Sequence, residues 1–412
     1  MYLRNTLAKL GLLASIVSAA PLQLLSRQAP GAQNVVYWGQ NGGGTIENND
    51  LSTYCTSQSG IDIIVLAFLY EFGNGNTVAS GTIGQSCYIS PAGVPQQCDA
   101  LATAIETCKA NGVKVMISLG GAASAWSLSS AAEAQTIGQN LWEAYGNTAA
   151  GSIPRPFGST FVDGFDFDLE SNSGNEYFQY MISTLRTNFA SDPGNTYYIT
   201  GAPQCPIPEP NMGEIISAAQ FDYLWVQFYN NNPVCSLGFN GNAAFNFDAW
   251  VSFIATTPSA GAKIFIGAPA APLAANGGVS GEVYYIPPTD LATLVDEYKS
   301  NAAFGGVMLW SAGFSDSNII NGCTFAQEVH EILLTGSPAS SCSGTGTLTT
   351  TVTSTPTPTT SPTGTSPPTT TPTGTVGAYD QCGGAGYTGP TTCVSGYTCY
   401  EISSQWSQCD PI

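Results

Sequence analysis

The sequence predicts an α/β protein: a closed (β/α)8 barrel of the TIM type, then a disordered Thr/Pro/Ser-rich linker, then a small disulfide-stapled β module. Three observations carry this. Eight short apolar runs recur between residues 35 and 310, with helix-like stretches between them. From about Gly336 the composition changes abruptly to TGTLTTTVTSTPTPTTSPTGTSPPTTTPTGT, which has almost no large apolar residue with which to build a core. Beyond it, four cysteines fall between Cys382 and Cys409.

Taken in order, the first residues, MYLRNTLAKLGLLASIVSAA, carry Arg4 and Lys9 ahead of a short apolar core and a small-residue exit. That is a secretory signal peptide over 1–20, with a pro-segment reaching about Arg27. Its apolar run is too short for a membrane span, and no second long run follows, so an exported, extracellular, soluble protein is expected. Val35–Gly44 reads as a strand running into a glycine-rich loop. Ile61–Phe68, Val113–Leu119, Gly164–Glu170, Tyr197–Ala202, Tyr223–Phe228, Lys263–Ala268 and Gly306–Trp310 complete the eight. Gln97–Ala110, Ala131–Tyr145, Glu176–Phe189, Asp248–Ile254 and Asp290–Lys299 read as helices between them. The barrel is expected over 28–336, the linker over 337–375 and the module over 376–412. Active sites of such barrels gather at the C-terminal ends of the strands. There the runs end in Ser118-Leu119-Gly120-Gly121, Asp168 to Glu170, Gln204, Gln227 to Asn230, and Trp310-Ser311.

The stretch Phe161–Glu170, FVDGFDFDLE, organises the rest. Asp and Glu are poor strand formers, yet Asp166, Asp168 and Glu170 alternate with Phe165, Phe167 and Leu169 in the period-2 pattern of a strand. The three carboxylates therefore share one face. Only 9% of residues are charged, so four acids within eight positions (with Asp163) are not a casual solvated edge. Same-face neighbours lie roughly 6.5–7 Å apart. Two charges at that separation repel by about 2.5 kcal/mol at an effective dielectric near 20, nearly two pKa units. Such a row keeps one carboxyl protonated beside an ionised partner, the arrangement of glycoside hydrolysis. Asp163, at the strand start with opposite parity, is expected to be structural.

Composition narrows the partners. A net charge of -19 with only 9 basic residues argues against nucleic acid or an anionic membrane. Twelve cysteines in an exported chain point to disulfides, and one histidine, His330, with no paired C-x-x-C motif argues against a metal site. The isolated histidine also removes a Ser-His-Asp triad. No metal or organic cofactor is implied, and no oligomerisation signal is present, so a monomer is expected. The linker's proline content keeps it extended, at about 3.1 Å per residue. The segment behind it needs crosslinks to stay folded. Its Tyr379, Tyr387, Tyr397, Tyr400 and Trp406 are more aromatics than so small a core can hide, and exposed aromatic faces stack on sugar rings.

The stretch DGFDFDLE fits D-x-x-D-x-D-x-E, with Asp163, Asp166, Asp168 and Glu170 in the acidic places, and so resembles glycoside hydrolase family 18. YWGQN at Tyr37–Asn41, SLGG at Ser118–Gly121, WVQFYNN at Trp225–Asn231 and MLWS at Met308–Ser311 extend the resemblance along the barrel. Within the family the chain is similar to the class III, hevamine-like chitinases. The C-terminal segment resembles a family 1 carbohydrate-binding module of fungal polysaccharide-degrading enzymes. In that module Tyr379 and Trp406 match two of three aromatic places on the binding face, Gln405 stands in the third, and Gln408 belongs to the same face. Tyr400 or Tyr397 is available to help. The resemblance implies the disulfides Cys55–Cys108, Cys87–Cys98, Cys205–Cys235, Cys382–Cys399 and Cys393–Cys409, which leaves Cys323 and Cys342 as the remaining pair.

The resemblance further implies a retaining hydrolysis of chitin and chitin oligosaccharides in which the substrate's own 2-acetamido group is the nucleophile. Glu170 is then the acid and later the base. Asp168 holds the acetamide N–H, Asp166 shares a proton with Asp168 from behind, and Tyr229 donates to the acetamide carbonyl. Gln227 and Trp310 line the subsite, the indole as its floor, and Tyr37, Gln40, Gly121 and Asn230 are further substrate contacts. The module is expected to bind insoluble chitin or cellulose. Two other readings stay open: an endo-β-N-acetylglucosaminidase acting on N-glycans, and a non-catalytic chitin-binding lectin or inhibitor on the same barrel.

Overall fold

The computed structural model describes residues 31–40, 47–122, 125–149, 151–238 and 242–342 of the barrel region. In the C-terminal segment it describes 374–376, 381–383, 389–395, 397–403 and 406–411. The signal-peptide and pro-segment readings, and most of the expected linker, lie outside these residues.

Eight parallel strands close the barrel: β1 Gln33–Trp38, β2 Ile63–Gly73, β3 Lys114–Gly121, β4 Gly164–Leu169, β5 Tyr198–Gly201, β6 Tyr223–Gln227, β7 Lys263–Pro269 and β8 Phe304–Trp310. Each pairs with the next, and β8 returns to β1 with Gln33 opposite Gly306 and Val36 opposite Leu309. Around the ring lie α1 Asp99–Ala110, α2 Ala131–Tyr145, α3 Asn175–Phe189, α4 Gly213–Ala218, α5 Phe247–Ile254, α6 Pro288–Tyr298, α7 Ala312–Ser317 and α8 Phe325–Thr335. The strands divide two apolar layers. Val35, Tyr37, Val65, Met116, Trp225, Phe265 and Met308 fill the inside of the ring, and a larger layer packs strands against helices.

Two elements differ from the sequence reading, while the first strand gives way at Trp38, as expected of a strand running into a loop, where Gly39 turns the chain at φ 121°. Helix α1 begins at Asp99 rather than Gln97, because Gln97 has a φ of 55°, which no helical residue adopts, and the Cys87–Cys98 disulfide ties down the residue after it. Strand β2 runs past Phe68 to Gly73 and folds back as a hairpin with Asn76–Ile83. Its turn is Asn74-Gly75, both at positive φ, the strongest short hairpin signal a sequence can carry. The short helices α4 and α7 carry too few apolar repeats to be read from periodicity.

Disulfides join Cys55 to Cys108, Cys87 to Cys98, Cys205 to Cys235, Cys323 to Cys342, and Cys382 to Cys399. Cys393 is also disulfide-bonded. The side chain of Cys409 lies outside the described residues. The Cys323–Cys342 bond keeps Ser337–Cys342 on the barrel, helped by the Ala339 amide donating to Glu328 Oε2 at 2.8 Å. In the C-terminal segment Gln381–Gly383, Trp406–Pro411 and Tyr397–Ser403 form a three-stranded antiparallel sheet. Tyr379 and the side chains of Trp406 and Gln408, expected on its binding face, lie outside the described residues, as do Tyr387, Gln405 and the side chain of Tyr400. No helix among the described residues is long and apolar enough to cross a membrane.

Ring closure rests on a close approach between β8 and β1. At Gly306, with φ 137°, a Cβ would come within 1.9 Å of the Gln33 carbonyl oxygen. Gly306→Ala is therefore expected to destabilise the barrel by about 2 kcal/mol or more, whereas Gly261→Ala, which meets nothing within 4 Å, changes stability little. Urea unfolding midpoints of the two variants check this, and equal midpoints would count against it.

Candidate active site

Strand β4 supplies the acids. Phe165 and Phe167 turn outward, against Phe189 and Phe178 of α3. Asp166 and Asp168 turn into the ring, and Glu170 follows the strand's last residue. Asp166 is wholly buried and accepts four hydrogen bonds from four other strands. At Oδ2 the donors are the Tyr37 hydroxyl and Ser118 Oγ, both at 2.7 Å. At Oδ1 they are Thr200 Oγ1 at 2.6 Å and the Trp225 indole Nε1 at 2.7 Å. Burial raises this carboxyl, and the four donated bonds act the other way. Both oxygens are thus occupied, and no hydrogen bond joins Asp166 to Asp168. In this arrangement the two acids interact through space.

Asp168, one step nearer the mouth, is 4% exposed and accepts from Gln227 Nε2 at 3.0 Å. Burial first, then the charges of Glu170 and Asp166, push its carboxyl well above the usual range. Glu170 is more open to solvent. Burial raises it too, opposed by Gln227, whose Nε2 reaches Glu170 Oε1 at 3.4 Å. The two titrate as a pair. Gln227 is held in place by a third contact, to the Ala202 carbonyl at 3.0 Å.

Tyr229, on the loop after β6, is nearly buried. Burial and the neighbouring charges of Asp168 and Glu170 keep its phenol protonated. Its hydroxyl faces both acids and has no hydrogen-bond partner among the described residues. Its neighbours fix it. The Cys205–Cys235 disulfide ties the loop after β5 to its own loop, Asn231 Nδ2 donates to Gln204 Oε1 at 2.6 Å, and Asn230 Nδ2 donates to the Ala275 carbonyl. The Asn230 amide nitrogen is therefore committed to the loop after β7.

Trp310 ends β8 between Tyr37, 5.7 Å between ring centroids, and Phe68, stacked at 6.0 Å. Both Phe68 and Trp310 take part in non-proline cis peptide bonds. Gly120 and Gly121 let β3 approach this floor. A Cβ on Gly120 would lie 2.1 Å from the Asp168 carbonyl oxygen, and one on Gly121 would meet the Phe68 ring at 2.9 Å. Gln40 is half-buried at the exit of β1, with no hydrogen bond to the acids. Asp163 lies at the opposite end of the ring, where Oδ2 accepts from the Val115 amide at 2.8 Å and Oδ1 pairs with Lys109 at 3.5 Å.

Sequence reasoning missed a second acidic group beside the floor. Buried Glu47 accepts at Oε1 from the Gly39 amide at 2.8 Å and is pushed up to about 8 by burial, against the Gly39 bond, with Asp316 adding to the rise. Asp316 of α7 accepts from the Tyr54 hydroxyl, which in turn accepts from the Asn48 amide at 2.9 Å. Together they lace the segment after β1 to the one after β8. No local motif marks them, because the partners lie up to 262 positions apart.

A model of glycosyl hydrolases family 18 matches residues 33–282, and one of the fungal cellulose binding domain matches 378–407. Over 405 residues, 97% of either chain, the sequence is 61% identical to a Metarhizium robertsii protein named Endochitinase 2. Among solved structures, an Ipomoea carnea chitinase is 31% identical, with 72% of this chain and 98% of that one covered and a TM-score of 0.57. A xylanase and α-amylase inhibitor protein is also 31% identical, with 75% and 99% covered and a TM-score of 0.58. With the acids of β4 inside a closed eight-stranded ring and a family model spanning most of that ring, the chain belongs to glycosyl hydrolases family 18.

Proposed function

We propose that the protein is a secreted, endo-acting chitinase that cleaves β-1,4-linked N-acetylglucosamine polymers with retention, using the substrate's acetamido group as nucleophile. The observation that carries this reading is the grouping of a partly open Glu170 that burial raises, a deeper Asp168 and a Tyr229 hydroxyl with no hydrogen-bond partner among the described residues. A two-carboxylate double displacement needs a second carboxylate across the sugar from the acid. Here Asp166 and Asp168 lie on β4 just before Glu170 and deeper in the ring, which supports a nucleophile supplied by the substrate.

In the first step Glu170 gives its proton to the leaving glycosidic oxygen while the acetamide oxygen attacks the anomeric carbon, forming a cyclic oxazolinium. Asp168, accepting from the acetamide N–H, orients it and stabilises the positive charge, and the Tyr229 hydroxyl donates to the acetamide oxygen. In the second step water attacks the same carbon, loses its proton to Glu170 and reopens the ring. Two inversions give net retention. Asp166, anchored by four donors, keeps negative charge behind the developing cation. Trp310, with Phe68 and Tyr37 behind it, offers an apolar floor to the sugar.

One of the two similar solved structures is of an inhibitor protein, so the barrel alone does not separate enzyme from binder. The presence of Glu170, Asp168 and Tyr229 together favours the enzyme. The leader sequence and the disulfides support export. The C-terminal module, with Tyr379, Trp406 and Gln408 on its expected face, would hold the barrel on insoluble chitin or cellulose.

Glu170→Gln is expected to leave folding and oligosaccharide binding intact and to lower turnover about 10²–10⁴-fold. Turnover near that of the unaltered enzyme would remove Glu170 from the role of acid. The pH profile supplies a second test. Activity needs protonated Glu170, so it falls as pH rises through that residue's pKa, which burial places above the ordinary glutamate value. Gln227 stabilises the ionised form, so Gln227→Leu should move this alkaline limb to higher pH. A limb that stays put or moves down would contradict the role given to Gln227.

A further inference from the structure

Past the barrel mouth the chain adds a small antiparallel sheet to β2. Strands Asn76–Ile83, Cys87–Ile89 and Pro95–Gln96 follow β2 in order, with Thr82 opposite Tyr88 and Tyr88 opposite Gln96. Residues opposite each other on an antiparallel pair project from the same face, so Thr82, Tyr88 and Gln96 form one row. The other face is committed to the core, where Ile83, Cys87 and Ile89 are buried. Tyr88, between the last two of these, is 37% exposed, and Val94, two positions before Gln96, is 51% exposed. One exposed apolar side chain is ordinary on a protein surface, whereas a tyrosine and a valine beside polar groups on a row that leads to a binding site mark a contact surface.

The row is continuous with the floor of the cleft. Phe68 stacks on Trp310, and half-buried Tyr70, two residues further along β2, packs against the same inner cluster. The Tyr70 hydroxyl lies 3.5 Å from Thr82 Oγ1, which joins the floor to the row. At about 4.8 Å per strand, Tyr88 stands roughly 10 Å outward from β2. The outer strands are fixed in advance of any ligand. The Cys87–Cys98 disulfide ties the residue before Tyr88 to the start of α1, and the Val94 amide donates to Ser90 Oγ at 3.1 Å.

A pyranose ring has flat faces lined by C–H groups and a rim of hydroxyls. The C–H face packs on the negative face of an aromatic ring. The hydroxyl rim needs groups that both donate and accept, which the Thr82 hydroxyl and the Gln96 amide supply. We propose that this sheet face is a distal sugar-binding platform, anchored by Tyr88, for units of the polymer chain that extend beyond those held at Trp310. The reading rests on the proposed chitinase function. The occupant is the same chain that fills the cleft, because the row begins at the cleft floor and Tyr70, Thr82, Tyr88, Val94 and Gln96 carry no charge with which to select an ionic partner. Only a chain long enough to reach Tyr88 gains from the contact, so the platform favours long substrates over short ones.

The test compares the unaltered full-length protein with Tyr88→Ala and Tyr88→Phe on fully acetylated chitotriose and chitohexaose. Tyr88→Ala should lower kcat/KM on chitohexaose about tenfold, through KM rather than kcat, and on chitotriose it should stay within about twofold. Tyr88→Phe keeps the ring and should follow the unaltered protein on both. The same loss on both substrates, or no loss on either, would overturn the platform. Binding gives a second readout without turnover: in a Glu170→Gln background, Tyr88→Ala should weaken chitohexaose binding about tenfold, and unchanged affinity would count against the proposal. Failure of the unaltered protein to cleave either oligosaccharide would instead overturn the proposed chitinase function.

Discussion

The catalytic centre depends on Asp166 being held, wholly buried, by donors from four other strands. An ionised carboxylate without partners in an apolar ring costs several kcal/mol. Hydrogen bonds to a charged group stabilise by about 1.5–3 kcal/mol each, and four of them meet Asp166. Tyr37, Ser118, Thr200 and Trp225 are therefore set in register by one acceptor, and the ring's inner layer is polar at that point for a reason. Burial and the nearby charges of Glu170 and Asp166 then raise the Asp168 carboxyl well above the ordinary aspartate range.

The remaining parts are fixed outward from this anchor. Tyr37 carries Asp166 on its hydroxyl and Trp310 against its ring, so the same side chain joins the acidic row to the apolar floor. Gln227 spans Asp168 and Glu170, and the loop that presents Tyr229 is pinned by a disulfide and by amide side chains of Asn230 and Asn231. A hydroxyl so held, facing two acids with no hydrogen-bond partner among the described residues, is ready for a ligand atom without reorganisation. The Glu47, Tyr54 and Asp316 group closes the seam between the first and last strands beside that floor.

Much of this was legible in the sequence because it is local. The alternation of Asp166 and Asp168 with phenylalanines reports a strand with one inward polar face, and eight apolar runs report the ring. Tyr229 has no local pattern of its own and could be placed only through resemblance. The hairpin that extends β2 is signalled by Asn74-Gly75, but the apolar run Ile61–Phe68 is complete as a strand without it. The four-donor cage was not legible, since its members are brought together by barrel closure over as many as 129 positions.

The most direct test of acetamide participation is the anomeric form of the products while they are being made. In a time course on fully acetylated chitin oligosaccharides, resolved for anomers before mutarotation, the new reducing ends should appear as β-anomers. Cello-oligosaccharides of the same length, which lack the acetamide, should not be cut. First-formed α-anomers, or cleavage of the cello-oligosaccharides, would contradict a mechanism in which Asp168 and Tyr229 position the substrate's own nucleophile.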